Sequence, residues 1–298
     1  MAHIISDIRE SFRRGNIFIQ LIYINTAVFL VTTLLSVFLQ LFNRSTAGFL
    51  GFLELPASLT RLASQPWSII TYMFMHAGFM HILFNMLWLY WFGSLFLSFF
   101  SAKHLRGLYL LGGICGGLFY ILSYNIFPYF ASSVALSTMV GASASVLAIV
   151  MATAYREPNY RVQLFLFGSI RLKYIALIVL LTDLLFVTSQ NAGGHIAHLG
   201  GALAGLWFAA SLKRGTDVTS WINKPLDLFL RLFDKKTWHR RKPKMEVHYN
   251  RDPRDYDYNA HKKAQSDEID RILEKLKKSG YESLSTEEKK SLFDASKR

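Results

Sequence analysis

Residues 195–212 read HIAHLGGALAGLWFAASL, an apolar run that carries two histidines and several glycines. Gly201 and Gly205 form a G-x-x-x-G pattern, which allows two helices in a membrane to approach closely. An ionisable side chain is costly inside a membrane, so His198 is a candidate functional residue. The run therefore predicts a transmembrane helix that packs tightly against a neighbour and carries a polar group inward.

Five further apolar segments precede this run, at about 17–42, 79–101, 105–127, 141–155 and 172–190. Helices satisfy every backbone polar group within hydrocarbon, so we predict that all six segments are helical. The first segment is far longer than the roughly 7–15 apolar residues of a cleavable signal peptide. The expected fold is therefore all-α, a polytopic bundle of six transmembrane helices.

The composition agrees with a membrane protein that carries a charged tail. The 298 residues are 52% hydrophobic and 18% charged, against about 25% charged residues in a typical soluble domain. Only 11 of the 33 Lys and Arg residues and 5 of the 20 acidic residues precede residue 212. No basic stripe lies on a water-soluble fold, so nucleic acid is not an expected partner of this chain, despite its net charge of +13. A single cysteine, Cys115, excludes an internal disulfide and a cysteine-based metal site.

The distribution of Lys and Arg between the apolar segments predicts that both termini are cytoplasmic. Only Arg44 and Arg61 lie on the opposite side, in the first loop. The others lie in the N-terminal arm (Arg9, Arg13 and Arg14), the second-to-third connection (Lys103 and Arg106), the fourth-to-fifth connection (Arg156, Arg161, Arg171 and Lys173) and the start of the tail (Lys213 and Arg214). We divide the chain into a cytoplasmic N-terminal arm (1–16), a membrane domain (17–212), an amphipathic juxtamembrane segment (213–237), a charged linker (238–265) and a small C-terminal helical module (266–298).

Three segments outside the helices have a defined character. The loop at 43–78 is apolar enough to lie in the membrane interface or to pack on the bundle. The stretch 218–237 suits an amphipathic helix, which would lie on an anionic inner leaflet or dock on the bundle. In the tail, Ser285 and Glu288 have the spacing of a capping box. The tail could bind a cytoplasmic partner, although a solvated helical tail is the simpler interpretation.

Several polar residues reach a similar depth in the predicted bundle. At 1.5 Å per residue, Ser143 and His198 both lie about 20 Å above the inner boundary. His81 and Asn85 are four residues apart and share one face of the second helix. Gly141 permits a tight entry before the fourth helix, whose first N–H groups have no partner within the helix. Ser143 could act as a nucleophile with His198 as its base, while the other polar groups donate hydrogen bonds to developing negative charge.

Close packing alone would also account for these small residues. Ala144, Ala148 and Ala152 extend a row of small residues next to Ser143, and small residues often lie between transmembrane helices. The two interpretations are compatible, because close packing of the fourth and sixth helices is also what would bring Ser143 near His198.

The motifs resemble those of the rhomboid family of intramembrane serine proteases. The matching pieces are His81-Ile-Leu-Phe-Asn85, Gly141-Ala-Ser143 and Ala197-His198-Leu-Gly-Gly201-Ala-Leu-Ala-Gly205, in the family's order and on the corresponding helices. Pro66-Trp67 and His76 in the preceding loop are also similar to the family pattern. The resemblance covers about residues 15–212.

This resemblance implies a catalytic dyad in which Ser143 is the nucleophile and His198 the general base. It implies an oxyanion hole from the Ser143 backbone N–H, His81 and Asn85, and we count Gly141 with this group. The implied reaction is cleavage of peptide bonds in or near transmembrane segments, without a metal or cofactor. The partners would be transmembrane protein substrates and the lipid bilayer, and we expect the inner membrane of a bacterium.

Three positions depart from the family pattern. Ala144 follows the nucleophile, where the family usually has glycine, and Leu147 stands where many members have an aromatic residue against the histidine. Leu97 occupies a position that is often glutamate. The first two departures could loosen the dyad, but none removes a reacting group.

Three other polar residues have no assigned role in this interpretation. Ser145 competes with the nucleophile by type but faces elsewhere on the helix, and His195 is a rival base on a similar face to His198. Asp183, near mid-depth on the fifth helix, has no role in the motifs. It could pair with a donor from the bundle.

Two other functions remain open at this stage. A rhomboid-like protein could bind transmembrane clients without cutting them, although such a protein need not keep Ser143 and His198. A transporter would be expected to place charged or unwound residues at mid-membrane in repeated halves. Only Asp183 fits that expectation, and the sequence shows no internal repeat.

Overall fold

The structure is a computed structural model, and it describes residues 12, 15–164, 168–233 and 253–296. The chain divides into two compact units, Met1–Lys235 and Lys236–Arg298. Nearly all of the predicted arm at 1–16 lies outside the described residues, as does the part of the predicted linker before residue 253.

Where the structure describes the first unit, it is built mainly of helices, with two pairs of short strands. In chain order the elements are α1 (Ile17–Leu41), α2 (Ala47–Leu53), β1 (Leu55–Pro56), α3 (Leu59–Ser64), α4 (Ser68–Thr71), a 3-10 turn (Tyr72–Phe74), α5 (Phe79–Leu97), α6 (Ala102–Ile126), a 3-10 turn (Pro128–Phe130), β2 (Thr138–Met139), α7 (Ser143–Arg156), β3 (Arg161–Leu164), β4 (Gly168–Arg171), α8 (Leu172–Leu185), α9 (Ala192–Lys213) and α10 (Ser220–Phe233).

Each of the six predicted apolar segments contains a helix. Within the described part of the chain, α1, α5, α6 and α9 are long and apolar enough to cross a membrane. The helices α7 and α8 have 14 residues each and are shorter than the roughly 20 residues of a usual span. The chain is therefore a membrane protein of mainly helical structure.

Small residues bring α7 and α9 together, as the sequence predicted, and α6 joins the same contact. A methyl group added at Gly201 would collide with the backbone of Ala144, and one added at Gly205 would collide with that of Ala148. Gly116 of α6 faces the Ala144 side chain from the other direction. Because α7 is buried along most of its length, its two neighbours fix the position of its first turn.

The loop at 43–78 packs on the helical bundle. Its strand β1 pairs antiparallel with β2, with Leu55 opposite Met139. The Tyr72 hydroxyl donates to the Gly113 carbonyl at 2.6 Å, and the Tyr72 carbonyl accepts from the Gly141 N–H at 3.0 Å. The loop therefore holds the chain that leads into α7.

The connection between α7 and α8 contains strands that the helix-only prediction omitted. Strands β3 and β4 pair antiparallel, with Arg161 opposite Arg171. This charged connection lies outside the apolar segments, where backbone groups need not be satisfied by a helix. These strands lie between two of the predicted helical segments, so the prediction of six helical segments is unchanged.

Helix α10 docks on the beginning of α6. Arg106 donates to the Asn223 side-chain oxygen at 3.1 and 3.2 Å and also pairs with Asp227, whose other oxygen lies 3.0 Å from Lys103 Nζ. Thr219 and Asn223 are fully buried. Docking on the bundle is therefore the arrangement that the structure supports, and an apolar face with Trp221 remains exposed.

The described part of the second unit consists of two helices, α11 (Pro253–Ser279) and α12 (Thr286–Ser296), joined by a 3-10 turn at Tyr281–Ser283. Helix α11 begins inside the predicted charged linker (238–265), which corrects the predicted start of the helical module at 266. Pro253 stands at the first helical position, where its fixed φ favours a helix instead of breaking it. The capping box is confirmed: the Ser285 N–H donates to Glu288 Oε2 at 2.8 Å, and the Glu288 N–H donates to Ser285 Oγ at 3.2 Å.

Candidate active site

The structure brings the predicted catalytic and oxyanion side chains to one cavity. Ser143, His198, His81 and Asn85 all line a cavity of about 720 Å³ in the first unit. They come from the start of α7, the first turns of α9 and one face of α5. Three separate helices therefore contribute polar side chains to a common space.

Ser143 is the first residue of α7, and it follows a glycine in an unusual conformation. Gly141 has φ +135°, and a Cβ there would lie 2.9 Å from the His81 ring. Only glycine adopts this geometry at little cost. Its N–H already donates to the Tyr72 carbonyl, so Gly141 does not offer a free donor to an oxyanion. It instead shapes the turn that presents Ser143.

The hydrogen bonds of His81 and Asn85 define which of their atoms can donate. His81 Nδ1 accepts from the Ala77 N–H at 3.4 Å, which leaves the proton of a neutral imidazole on Nε2. Asn85 donates one amide hydrogen to the His81 carbonyl at 2.9 Å, and its amide carries a second. Both side chains thus retain a donor for negative charge that forms in the cavity.

His198 makes a contact that the sequence reasoning left unassigned. Its Nδ1 lies 2.8 Å from Asp183 Oδ1, and His195 Nδ1 lies 2.8 Å from the same oxygen. Asp183 on α8 is only 3% exposed. The signal in the sequence was the carboxylate itself, since an acidic residue inside a membrane helix is expected to have a partner.

The structure also locates the residues that depart from the family pattern. Ala144 is buried against Gly201, and Leu147 lines the cavity with the site residues. Among the described side chains, no hydrogen bond joins Ser143 and His198. Catalytic hydrogen bonds are often long without substrate and shorten when the reacting complex forms.

One set of side chains in the described part of the chain has the spacing of a metal site. Ligand atoms of Asp183, His195 and His198 lie within 4.8 Å of one another. Both imidazole Nδ1 atoms contact the carboxylate oxygen directly, so hydrogen bonding already accounts for this cluster.

His76 lies beside the site, and its burial predicts a pH dependence of stability. Burial, together with the nearby His81 imidazole, lowers the pKa of His76 from 6.5 to about 4. Between these values the unfolded chain binds more protons at this position, so the contribution of His76 to stability should be complete above about pH 6.5 and fall as the pH drops toward about 4. We expect His76→Gln to flatten this part of the melting temperature profile in detergent, and an unchanged profile would contradict the expectation.

Comparison with known proteins identifies the family. Residues 63–215, about half of the chain, match the rhomboid domain. The chain belongs to the rhomboid family. Its site residues on α5, α7 and α9 all fall inside the matched region of this rhomboid protein. Residues 254–298 match a second family, one of unknown function (DUF6576), which coincides with α11 and α12.

Two relatives share the rhomboid region at modest identity. RHOMBOID-like protein 12, mitochondrial, from Arabidopsis thaliana is 27% identical over 157 residues, which cover 50% of this chain and 47% of the relative. Presenilin-associated rhomboid-like protein A, mitochondrial, from Danio rerio is 28% identical over 160 residues, covering 53% and 39%. The match spans less than half of each relative. Both are named as mitochondrial proteins, so the expected bacterial inner membrane gains no support.

Proposed function

We propose that this rhomboid protein is an intramembrane serine endopeptidase that cleaves peptide bonds in or near transmembrane segments of other proteins. The observation that carries the proposal is the meeting of Ser143, His198, His81 and Asn85 at one cavity. A nucleophile, a base and two donors are the groups that acyl transfer requires. The substrates would be transmembrane proteins within the lipid bilayer.

The proposed reaction uses only groups of this chain. His198 Nε2 takes the Ser143 proton as Oγ attacks the substrate carbonyl carbon. The resulting oxyanion is stabilised by the Ser143 N–H, His81 Nε2–H and the Asn85 amide. His198 then gives the proton to the leaving amine, and water hydrolyses the acyl-enzyme in a second round of the same steps. The first N–H groups of α7 add the positive end of the helix dipole.

The membrane topology belongs to the same proposal. We infer that α7 and α8 span the membrane with α1, α5, α6 and α9, in a bundle of six transmembrane helices. Because Lys and Arg concentrate in alternate connections, both termini and the tail would be cytoplasmic. The shorter α7 is shielded by its neighbours, and its buried surface supports a central position in the bundle.

Cleavage of a reporter tests the proposal. Wild-type protein in liposomes should cleave a transmembrane reporter and be labelled by a fluorophosphonate probe at Ser143. Ser143→Ala and His198→Ala should each lose at least about 10³-fold in kcat, because nucleophile and base act as a unit. Ser145→Ala is a matched control: this serine is fully buried two residues further along α7, so its loss should leave cleavage near the wild-type rate.

A specific result would contradict the protease proposal. If folded wild-type protein neither cleaves the reporter nor reacts with the probe at Ser143, the protease proposal fails. A rhomboid protein that binds transmembrane clients without cutting them would then be the remaining interpretation, and co-purification of the intact reporter would identify it.

A further inference from the structure

The proposed reaction gives no role to the carboxylate of Asp183. It projects from α8 toward the first turns of α9, where the Nδ1 atoms of His195 and His198 both contact its Oδ1 at 2.8 Å. When the carboxylate is ionised it only accepts hydrogen bonds, and each imidazole then donates to it from Nδ1. In neutral His198 this arrangement leaves the lone pair on Nε2.

We propose that Asp183 is a positioning residue that holds His198 in the tautomer and orientation required of a general base. This inference rests on the proposed protease function. With the opposite tautomer, Nε2 would carry the proton and His198 could not accept one from Ser143. The carboxylate also stabilises the imidazolium that forms once the proton has moved.

The two histidines have different relations to the cavity. His198 lines it, whereas His195 is absent from its lining and packs its ring against Phe186. A buried carboxylate is costly unless donors compensate it. His195 therefore helps to keep the charged Asp183 in place, and His198 is the residue whose chemistry the carboxylate controls.

A structural role for Asp183 and a positioning role predict different results. A merely structural carboxylate would serve both imidazoles alike, so removing it or His195 would lower stability and activity together. A positioning carboxylate affects the base directly, and its loss should lower kcat in folded protein. Isosteric Asp183→Asn and the matched His195→Gln separate these roles, since each removes one partner of the same cluster.

The experiment measures reporter cleavage, the rate of fluorophosphonate labelling at Ser143 and the melting temperature, with Ser143→Ala as the inactive control. Asp183→Asn should lower kcat by about 10²-fold or more with KM changed by less than about threefold. Probe labelling should slow in parallel, because the probe reports the reactivity of Ser143 without a peptide substrate. His195→Gln should retain kcat within about fivefold while melting at a lower temperature.

A spectroscopic readout keeps the inference testable apart from catalysis. The ¹⁵N shifts of labelled histidine, assigned by difference with His198→Gln, should show a proton on His198 Nδ1 in the wild type and a tautomer mixture in Asp183→Asn. If wild-type protein fails to cleave, the protease function fails, while the tautomer result still decides the Asp183–His198 contact.

Three outcomes would overturn the inference. The first is a folded Asp183→Asn protein with wild-type kcat and labelling. The second is an equal loss of activity in Asp183→Asn and His195→Gln that follows their melting temperatures. The third is activity that disappears with EDTA and returns with Zn²⁺, because His198 Nδ1 would then be a metal ligand rather than a donor to Asp183.

Discussion

Gly201→Ala should destabilise the protein and reduce its activity, although the change adds one methyl group. The new Cβ would collide with the Ala144 carbonyl oxygen and lie 2.8 Å from its carbonyl carbon. Neither atom can rotate away, because both belong to the backbone of α7. The two helices must therefore separate, and overpacking of this kind typically costs about 1–3 kcal/mol.

The same separation would act on the site. Ala144 directly follows Ser143, the proposed nucleophile, and Gly201 lies one helical turn after His198 on α9. A shift of about 1 Å between reacting groups can cost on the order of 10²-fold in rate, so we expect a loss of kcat of that size in the folded fraction. The melting temperature in detergent and single-turnover cleavage in liposomes measure the two effects separately.

Gly48→Ala is the matched control for this substitution. Gly48 lies inside the short helix α2, and an added Cβ there would meet no atom within 4 Å. Alanine favours a helix over glycine by about 1 kcal/mol, so this variant should be as stable as the wild type or slightly more so. A Gly201→Ala protein with wild-type stability and rate would refute the argument that this glycine sets the distance between α7 and α9.

The sequence was sufficient to predict where the helices lie and the close packing of α7 on α9, the helices that carry Ser143 and His198. Apolar length identified the six segments, because a membrane restricts the backbone to few structures. The G-x-x-x-G pattern and the alanine row predicted which helices pack closely, and the structure places Gly201 on Ala144 and Gly205 on Ala148. These features are local, since each depends on the spacing of residues within a single helix.

The contact between Asp183 and the two histidines could not be predicted in the same way. Which side of α8 faces α9 depends on how both helices rotate in the bundle, and periodicity in an all-apolar segment does not specify that rotation. The pairing of Leu55 with Met139 could not be predicted from local spacing either, because it joins two loops that are far apart in the chain. Both arrangements depend on tertiary packing.

The hydrogen-bond partner of the Gly141 N–H could also be identified only from the folded structure of the first loop. From the sequence, we count Gly141 with the expected oxyanion hole. In the structure its N–H donates to Tyr72, a residue of the first loop, so the glycine supplies conformation instead of a donor. His81 and Asn85 are therefore the two side chains through which the proposed oxyanion hole can be tested.

Removing either side-chain donor should reduce catalysis without preventing binding. His81→Ala and Asn85→Ala should each lower kcat by about 10²–10³-fold, the usual effect of losing one preorganised donor to an oxyanion. KM should change by less than about threefold, because these donors act mainly on charge that develops in the transition state. Initial rates over a range of reporter-to-lipid ratios give both constants.

Leu83→Ala provides the control on the same helix. Leu83 lies between the two donors in sequence but is 43% exposed, so its loss should leave kcat unchanged within about twofold. Labelling by a fluorophosphonate offers a second measurement, since the phosphoryl oxygen of the probe occupies the place of the substrate oxyanion. It should slow in both donor variants and stay normal in Leu83→Ala. If His81→Ala and Asn85→Ala raised KM alone and reacted normally with the probe, their role would be substrate binding, and the Ser143 N–H would have to stabilise the oxyanion without side-chain donors.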